Sequence, residues 1–176
     1  MTPEQTKDHG LQAFNSVQLN LVTFIDVHNA NLRQSLQGNV FMYDNNAEST
    51  GQGTDHLQTV CKQGQILNWI IFTMDAGIRA DGTFPPSARI NNIVLLNDKG
   101  TDVASEPVFR ELKILGGPDK IRSANTSVYY YWAGALLGNV KPGVYRYRFI
   151  LELDTEIPGQ KNYFNLSTPT LKILEV

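Results

Sequence analysis

The chain has one cysteine, three histidines and little charge, and each shortage removes a class of function. With Cys61 alone, no disulfide can close within the chain and no cage of thiolates can hold a metal. Set between Val60 and Lys62 in a strand-like run, Cys61 reads as a small core hydrophobe. His9, His28 and His56 are dispersed, so no nucleophile, histidine and acid assemble into a hydrolytic set. Asp26 and His28, two apart on an extended strand, would need a third ligand from elsewhere to hold a metal. The simpler reading makes Asp26 a cap on the turn Val27-His28-Asn29-Ala30. Asp98 and Asp102 flank Gly100 without the closely alternating carboxylates of a calcium loop. No metal, no cofactor and no catalytic residue is expected, so the chain is expected not to be an enzyme.

Other absences bound the partners and the compartment. Lys and Arg number 15, Asp and Glu 17, for a net charge of -2, and the basic residues are scattered rather than clustered. Such a surface has no electrostatic reason to approach a phosphate backbone, which argues against a nucleic-acid partner. The longest apolar run, around Ile66 to Met74, falls well short of the ~20 residues of a bilayer-spanning helix. Residues Met1 to Gly10 lack both the basic start and the apolar stretch of a secretory signal. A cytoplasmic protein follows as the expectation, any release being by a non-classical route.

What the chain does have is strand character. A chain of 176 residues buries roughly 68–70% of its unfolded surface and needs no staple to fold. The expectation is a single domain over residues 15–176 behind a flexible N-terminal tail of residues 1–14. Val17, Leu19, Leu21, Thr23 and Ile25 alternate with polar neighbours until Val22 and Phe24 make the second face apolar too, as in a central strand. Gly38 to Tyr43 is a second strand, closed by the polar stretch Asp44-Asn45-Asn46-Ala47-Glu48. Leu57 to Cys61 and Ile66 to Met74 read as an antiparallel hairpin joined through Lys62-Gln63-Gly64. Met74 to Arg89, rich in Gly and Pro, reads as a long exposed connection before the strand Arg89 to Leu96.

Phe109 to Leu115 fits either a strand or a helical turn, and Gly116-Gly117-Pro118 breaks the chain after it. Ser127 to Trp132 holds the densest aromatic run. From Val144 to Leu153 the alternation is clearest: Tyr145, Tyr147, Phe149, Leu151 and Leu153 share the core face, and Arg146, Arg148 and Glu152 the water face. Tyr163-Phe164 and Leu171 to Val176 close the chain as the last strands. About eight short strands, recurring turns and no amphipathic helix of ordinary length predict an all-β fold, a two-sheet antiparallel β-sandwich with little helix.

Two groups of residues are candidates for binding. Trp69 and Trp132, with Tyr129 and Tyr131, could stack on the apolar face of a sugar, although core packing is the default reading for both tryptophans. Gln52 and Thr54 lie in the loop Ser49-Thr50-Gly51-Gln52-Gly53-Thr54, where a Gly-x-Gly turn feeds a strand. With no helix and no Lys-Ser/Thr pair beyond it, that loop is not a phosphate cradle. Its neutral polar groups, beside Glu48 and Asp55, suit an uncharged ligand or serve turn geometry alone.

Several of these segments, in this order, resemble the AidA/PixA family of bacterial inclusion-body proteins. Val22-Thr23-Phe24-Ile25-Asp26-Val27 is similar to the family's opening strand, and Ser49 to Thr54 with Leu57 to its Ser-Gly-Gln-Gly-Thr loop. Gly64-Gln65-Ile66, Asn91 to Leu96, Tyr130-Tyr131-Trp132-Ala133 and Gly143 to Phe149 resemble its later strands. Where the family closes on a Trp-Asp-Pro motif, this chain has Tyr163 to Leu171 without the Trp and Asp, and with three methionines it is not methionine-rich. The resemblance implies an abundant, non-enzymatic protein made in the bacterial cytoplasm, controlled by cell density and linked to life with a host. The leading expectation is action by self-association, as a homo-oligomer through exposed sheet edges or aromatic patches. A lectin-like sandwich with a glycan or host-surface ligand is the alternative.

Overall fold

The computed structural model describes residues 18–75, 79–104, 108–116 and 130–175. Along them run β1 (Leu19–Ile25), α1 (Val27–Arg33), β2 (Val40–Asp44), β3 (Gln58–Lys62), β4 (Ile66–Thr73) and β5 (Ala88–Leu96). They are followed by β6 (Asp102–Val103), β7 (Phe109–Gly116), β8 (Tyr130–Leu136), β9 (Gly143–Asp154), β10 (Lys161–Leu166) and β11 (Thr170–Leu174). The fold is all-β with little helix, as the strand patterning predicts. The N-terminal tail of residues 1–14, Tyr129 and the chain break after Gly116 lie outside the described residues.

One sheet has five strands in the order β2-β1-β4-β8-β7; the other has six, β3-β11-β9-β5-β6 with β10 also on β9. Leu21, Met42, Leu67 and Trp69 from the first meet Tyr147, Phe149, Leu151 and Ile173 from the second in one buried core. The alternation read along β9 is realised, with Tyr147, Phe149, Leu151 and Leu153 fully buried. Trp132 ties the two sheets by donating its Nε1–H to the carbonyl of Ile90 at 2.9 Å, beside a bulge between Ile90 and Asn92. Phe109 to Leu115, open between strand and helical turn in the sequence, lies in strand β7.

Three details differ from the sequence reading. The strands number eleven among the described residues rather than about eight, because the polar stretches hide short ladders such as β6. The sheets are mixed rather than purely antiparallel: β1 runs parallel to β4 and β3 parallel to β11. The expected hairpin of β3 and β4 does not form, since the turn at Lys62–Gly64 carries the chain from one sheet to the other. A short loop permits a hairpin but does not impose one. Here β4 is flanked by β1 and β8, and β3 by β11 from the far end of the chain.

Asp26 caps α1, as the simpler reading of that residue has it. Its carboxylate accepts from the Asn29 backbone N–H at 3.0 Å and the Asn29 amide at 2.6 Å. Those hydrogen bonds hold its pKa below the ordinary carboxylate value. One exception to the alternation along β9 is Glu152, on the expected water face but only 5% exposed at its side chain, where it pairs with Arg89 and Lys161.

Candidate functional site

The glycine loop is built around its own hydrogen bonds. Gly51 and Gly53 take φ of 76° and 79°, the left-handed region that glycine reaches without a steric penalty. Gln52 reaches back to the end of β2, accepting from the Asp44 N–H at 2.9 Å and donating to its carboxylate at 2.9 Å. Thr54 Oγ1 donates to the Gly51 carbonyl at 2.8 Å and accepts from the His56 N–H at 3.1 Å. The polar groups of both candidate residues are engaged in holding the turn. A Cβ on Gly51 would come within 2.6 Å of the His56 carbonyl oxygen. Gly51→Ala is therefore expected to lower stability by more than about 1 kcal/mol, read from urea unfolding, since alanine brings both a disfavoured φ and a backbone clash.

The aromatic candidates divide. Trp69 is fully buried and Trp132 nearly so, with Trp69 packed edge-on against Phe109 and Tyr147. Tyr131 instead lies half-buried, paired with Ile70 and Leu115 across β4 and β7. Cys61 is buried, and desolvation pushes its thiol up to about 12, which leaves it without nucleophilic thiolate at neutral pH. Among the described residues no cluster of three or more His, Cys, Asp or Glu side chains is placed to hold a metal.

The position of Tyr131 belongs to a larger arrangement that the sequence reading missed. Directly opposed residues in a sheet share a face. Register therefore puts Tyr43, Val22, Ile70, Tyr131 and Leu115 in one row across all five strands of the first sheet. Phe41, Phe24 and Phe72 form the next row. Phe24 stacks on Phe72 with ring centroids 5.6 Å apart and meets Tyr43 edge-on at 6.3 Å. Phe24, Tyr43 and Phe72 are exposed, and no charged residue stands in either row. An amide cluster edges the face, where Asn68 donates to Gln18 at 3.0 Å and to Asn20 at 2.9 Å. The outer side of the second sheet is more densely charged, carrying Arg89, Arg146, Arg148, Glu152, Lys161 and Lys172 on neighbouring strands, whereas the first sheet's outer face has Lys113 and Arg110 on β7, beyond the two apolar rows.

A cleft of about 860 Å³ opens at one end of the sandwich, walled by the end of β4, the connection into β5 and the turn from β9 to β10. Arg79 closes one side through two hydrogen bonds of 2.9 Å to the Glu156 carboxylate. Ser87 closes another, its hydroxyl donating to Asp154 at 2.6 Å.

With the fold, face and cleft defined, the chain can be set beside known proteins. A domain of unknown function (DUF8788) matches residues 17–81, less than half of the chain. No curated protein matches. The crystal structure of the inclusion body protein PixA from Burkholderia cenocepacia J2315 covers 92% of this chain and 96% of its own, with a TM-score of 0.59. This chain has the PixA fold. Sequence identity to that protein is 12%, so the likeness is one of fold. A family 123 glycoside hydrolase from Clostridium perfringens, whose described action is glycolipid glycan hydrolysis, covers 91% of this chain over 28% of its own length. Its TM-score of 0.31 and identity of 11% carry no argument about this chain.

The segments that resemble the AidA/PixA family fall on strands and a loop of this chain. Val22 to Ile25 belong to β1, Asn91 to Leu96 to β5, Tyr130 to Ala133 to β8 and Gly143 to Phe149 to β9. The Ser49 to Thr54 loop joins β2 to β3 through isolated bridges at Thr54 and Thr50. No helix among the described residues is long and apolar enough to cross a membrane.

Proposed function

We propose that this chain is a non-enzymatic protein that assembles with copies of itself through the outer face of its five-stranded sheet. The observation that carries the proposal is the asymmetry between the two sheets: two uncharged apolar rows on one outer face, a charged lattice on the other. Contiguous exposed aromatic and aliphatic side chains mark an interaction surface, because water gains by their burial. A second copy suits the face, for the two apolar rows carry no charge and can meet row on row, with Lys113 and Arg110 standing beyond them on β7, paired with Ala133 and Ala135. The PixA-like fold supports the reading at the level its name allows, that of an inclusion body protein. Production under cell-density control and association with a host extend it, on the family resemblance. Burial of Trp69 and Trp132 favours this reading over a lectin-like one.

Sedimentation velocity over a concentration series tests it. Wild-type protein is expected to associate, and the paired change Phe24→Ser and Phe72→Ser to weaken association at least about 100-fold, each ring contributing roughly 1.5–3 kcal/mol when buried. Circular dichroism of the variant should match wild type, since both rings lie on the outer face. Wild-type protein that stays monomeric throughout, or a variant that associates equally well, would refute the proposal.

A further inference from the structure

We infer that the cleft at the end of the sandwich binds a small organic cation, an amine or amidine on an apolar body, between the rings of Phe72 and Phe84 and the carboxylates of Asp81 and Asp154. The inference does not depend on self-association. At about 860 Å³ the cleft has the size of small-molecule sites, which run from roughly 300 to 1,000 Å³. An adjoining recess of about 290 Å³ shares Thr73, Arg79, Pro85, Pro86 and Glu156 with it and extends toward Asp26 and Asp75.

The walls are fixed before any ligand arrives. Asp154 accepts from the Ser87 hydroxyl, and its backbone N–H donates to the Ser87 carbonyl at 2.9 Å. Its own carbonyl accepts from Asn31 of α1 at 2.8 Å. The loop on the other side is pinned by the Arg79 N–H donating to the Thr83 carbonyl at 2.8 Å and by Thr83 donating to Asp81 through both N–H and hydroxyl. Preorganised walls reduce the ordering cost of binding.

The chemistry of the lining selects the ligand. Phe72, Phe84, Pro85 and Pro86 offer an apolar wall, and an aromatic face attracts a cation through its quadrupole. Asp81, Asp154 and Glu156 are set against one cation, Arg79, which the Glu156 carboxylate already holds in a two-bond fork. The site is thus rich in acceptors, poor in free donors and negative overall. Phosphates and carboxylates are repelled, and a ligand with N–H donors, positive charge and an apolar body matches both walls.

The test is an NMR titration of the full-length protein with 2-phenylethylamine, phenylacetate and 2-phenylethanol, one ring carried on a cation, an anion and a neutral group. The amine is expected to give saturable shifts at Phe72, Phe84, Ser87 and Gly159, and to bind at least 10-fold tighter than phenylacetate or 2-phenylethanol. Asp81→Asn and Asp154→Asn should each weaken the amine at least 3-fold, whereas Asp98→Asn, the same charge change on a distant exposed turn, should not. Because Asp154 also holds Ser87, the exposed Asp81 supplies the variant whose fold is least at risk. Equal binding of the three probes, no saturation by the amine, or unaltered affinity in Asp81→Asn would overturn the inference. Phe72 borders both the cleft and the sheet face, so the variants are cleft carboxylates, which the two apolar rows do not contain. Failure here leaves self-association standing, and the reverse.

Discussion

Trp69→Ala lowers the free energy of unfolding by about 3–5 kcal/mol, the cost of emptying a large aromatic site in a core that cannot fully collapse. Trp69 is fully buried on β4, and its ring meets Phe109 of β7 at 5.4 Å and Tyr147 of β9 at 6.1 Å, so the cavity would open where the two sheets join. The indole is enclosed by aromatic and aliphatic neighbours of the core, so the loss is mainly one of packing. Trp69→Phe should accordingly recover most of it. Chemical denaturation followed by circular dichroism reads the effect, and an alanine variant as stable as wild type would return Trp69 to the candidates for binding.

Removing both cations around Glu152 costs a comparable amount and also changes the sign of a pH dependence. Burial pushes the Glu152 carboxyl up, but hydrogen bonds from Lys161 and Arg89, with their charges, outweigh it and hold the group below its ordinary range. A carboxylate lowered in this way adds stability above its unfolded pKa of about 4.3, and that stability is lost as pH falls through the lower folded value. In the double variant Arg89→Met and Lys161→Met, burial acts alone and raises the folded pKa. The group then favours the folded state below the unfolded pKa and loses that contribution as pH rises. The expected cost at neutral pH is about 3–5 kcal/mol, that of a buried charge left without its partners. Melting curves should show the gap between wild type and variant narrowing on acidification toward pH ~4, where the carboxylate protonates. A gap of constant size at every pH would mean that Glu152 stays solvated in the folded protein.

Much of this structure is written in local pattern. The alternation from Tyr145 to Leu153 is legible because β9 has one face in the core and one on the surface, and Asp26 is legible as a cap because its reach is three residues. Pairing over distance is not local, and β3 illustrates it: its partner is β11, more than a hundred residues on, so loop length alone misassigned it to a hairpin with β4. Val22, Phe24 and the second face of β4 are apolar, a pattern that ordinarily marks a strand covered on both sides. Here that pattern belongs to an exposed face, and period-two reading does not distinguish the two cases.

Aromatic size likewise points to Trp69 and Trp132, which are packed inward, while Phe24, Tyr43 and Phe72 carry the surface. Tyr131 is the candidate that falls on that face, through its pairing with Ile70. Gln52 and Thr54 were visible as polar loop residues, but their engagement within the turn depends on Asp44 and His56. The cleft joins segments from three parts of the chain, and no spacing in the sequence brings Phe84 to Asp154.

The measurement that bears most directly on assembly through the five-stranded sheet is methyl NMR of the protein with a soluble paramagnetic agent, at low and at high protein concentration. Val22 and Ile70 report on the apolar rows, and Val144 and Ile157, both exposed, report on other surfaces. Raising the concentration is expected to strip the relaxation enhancement from the methyls of Val22 and Ile70 and to leave it intact at Val144 and Ile157. Enhancement that persists at Val22 and Ile70 while the protein associates would contradict it.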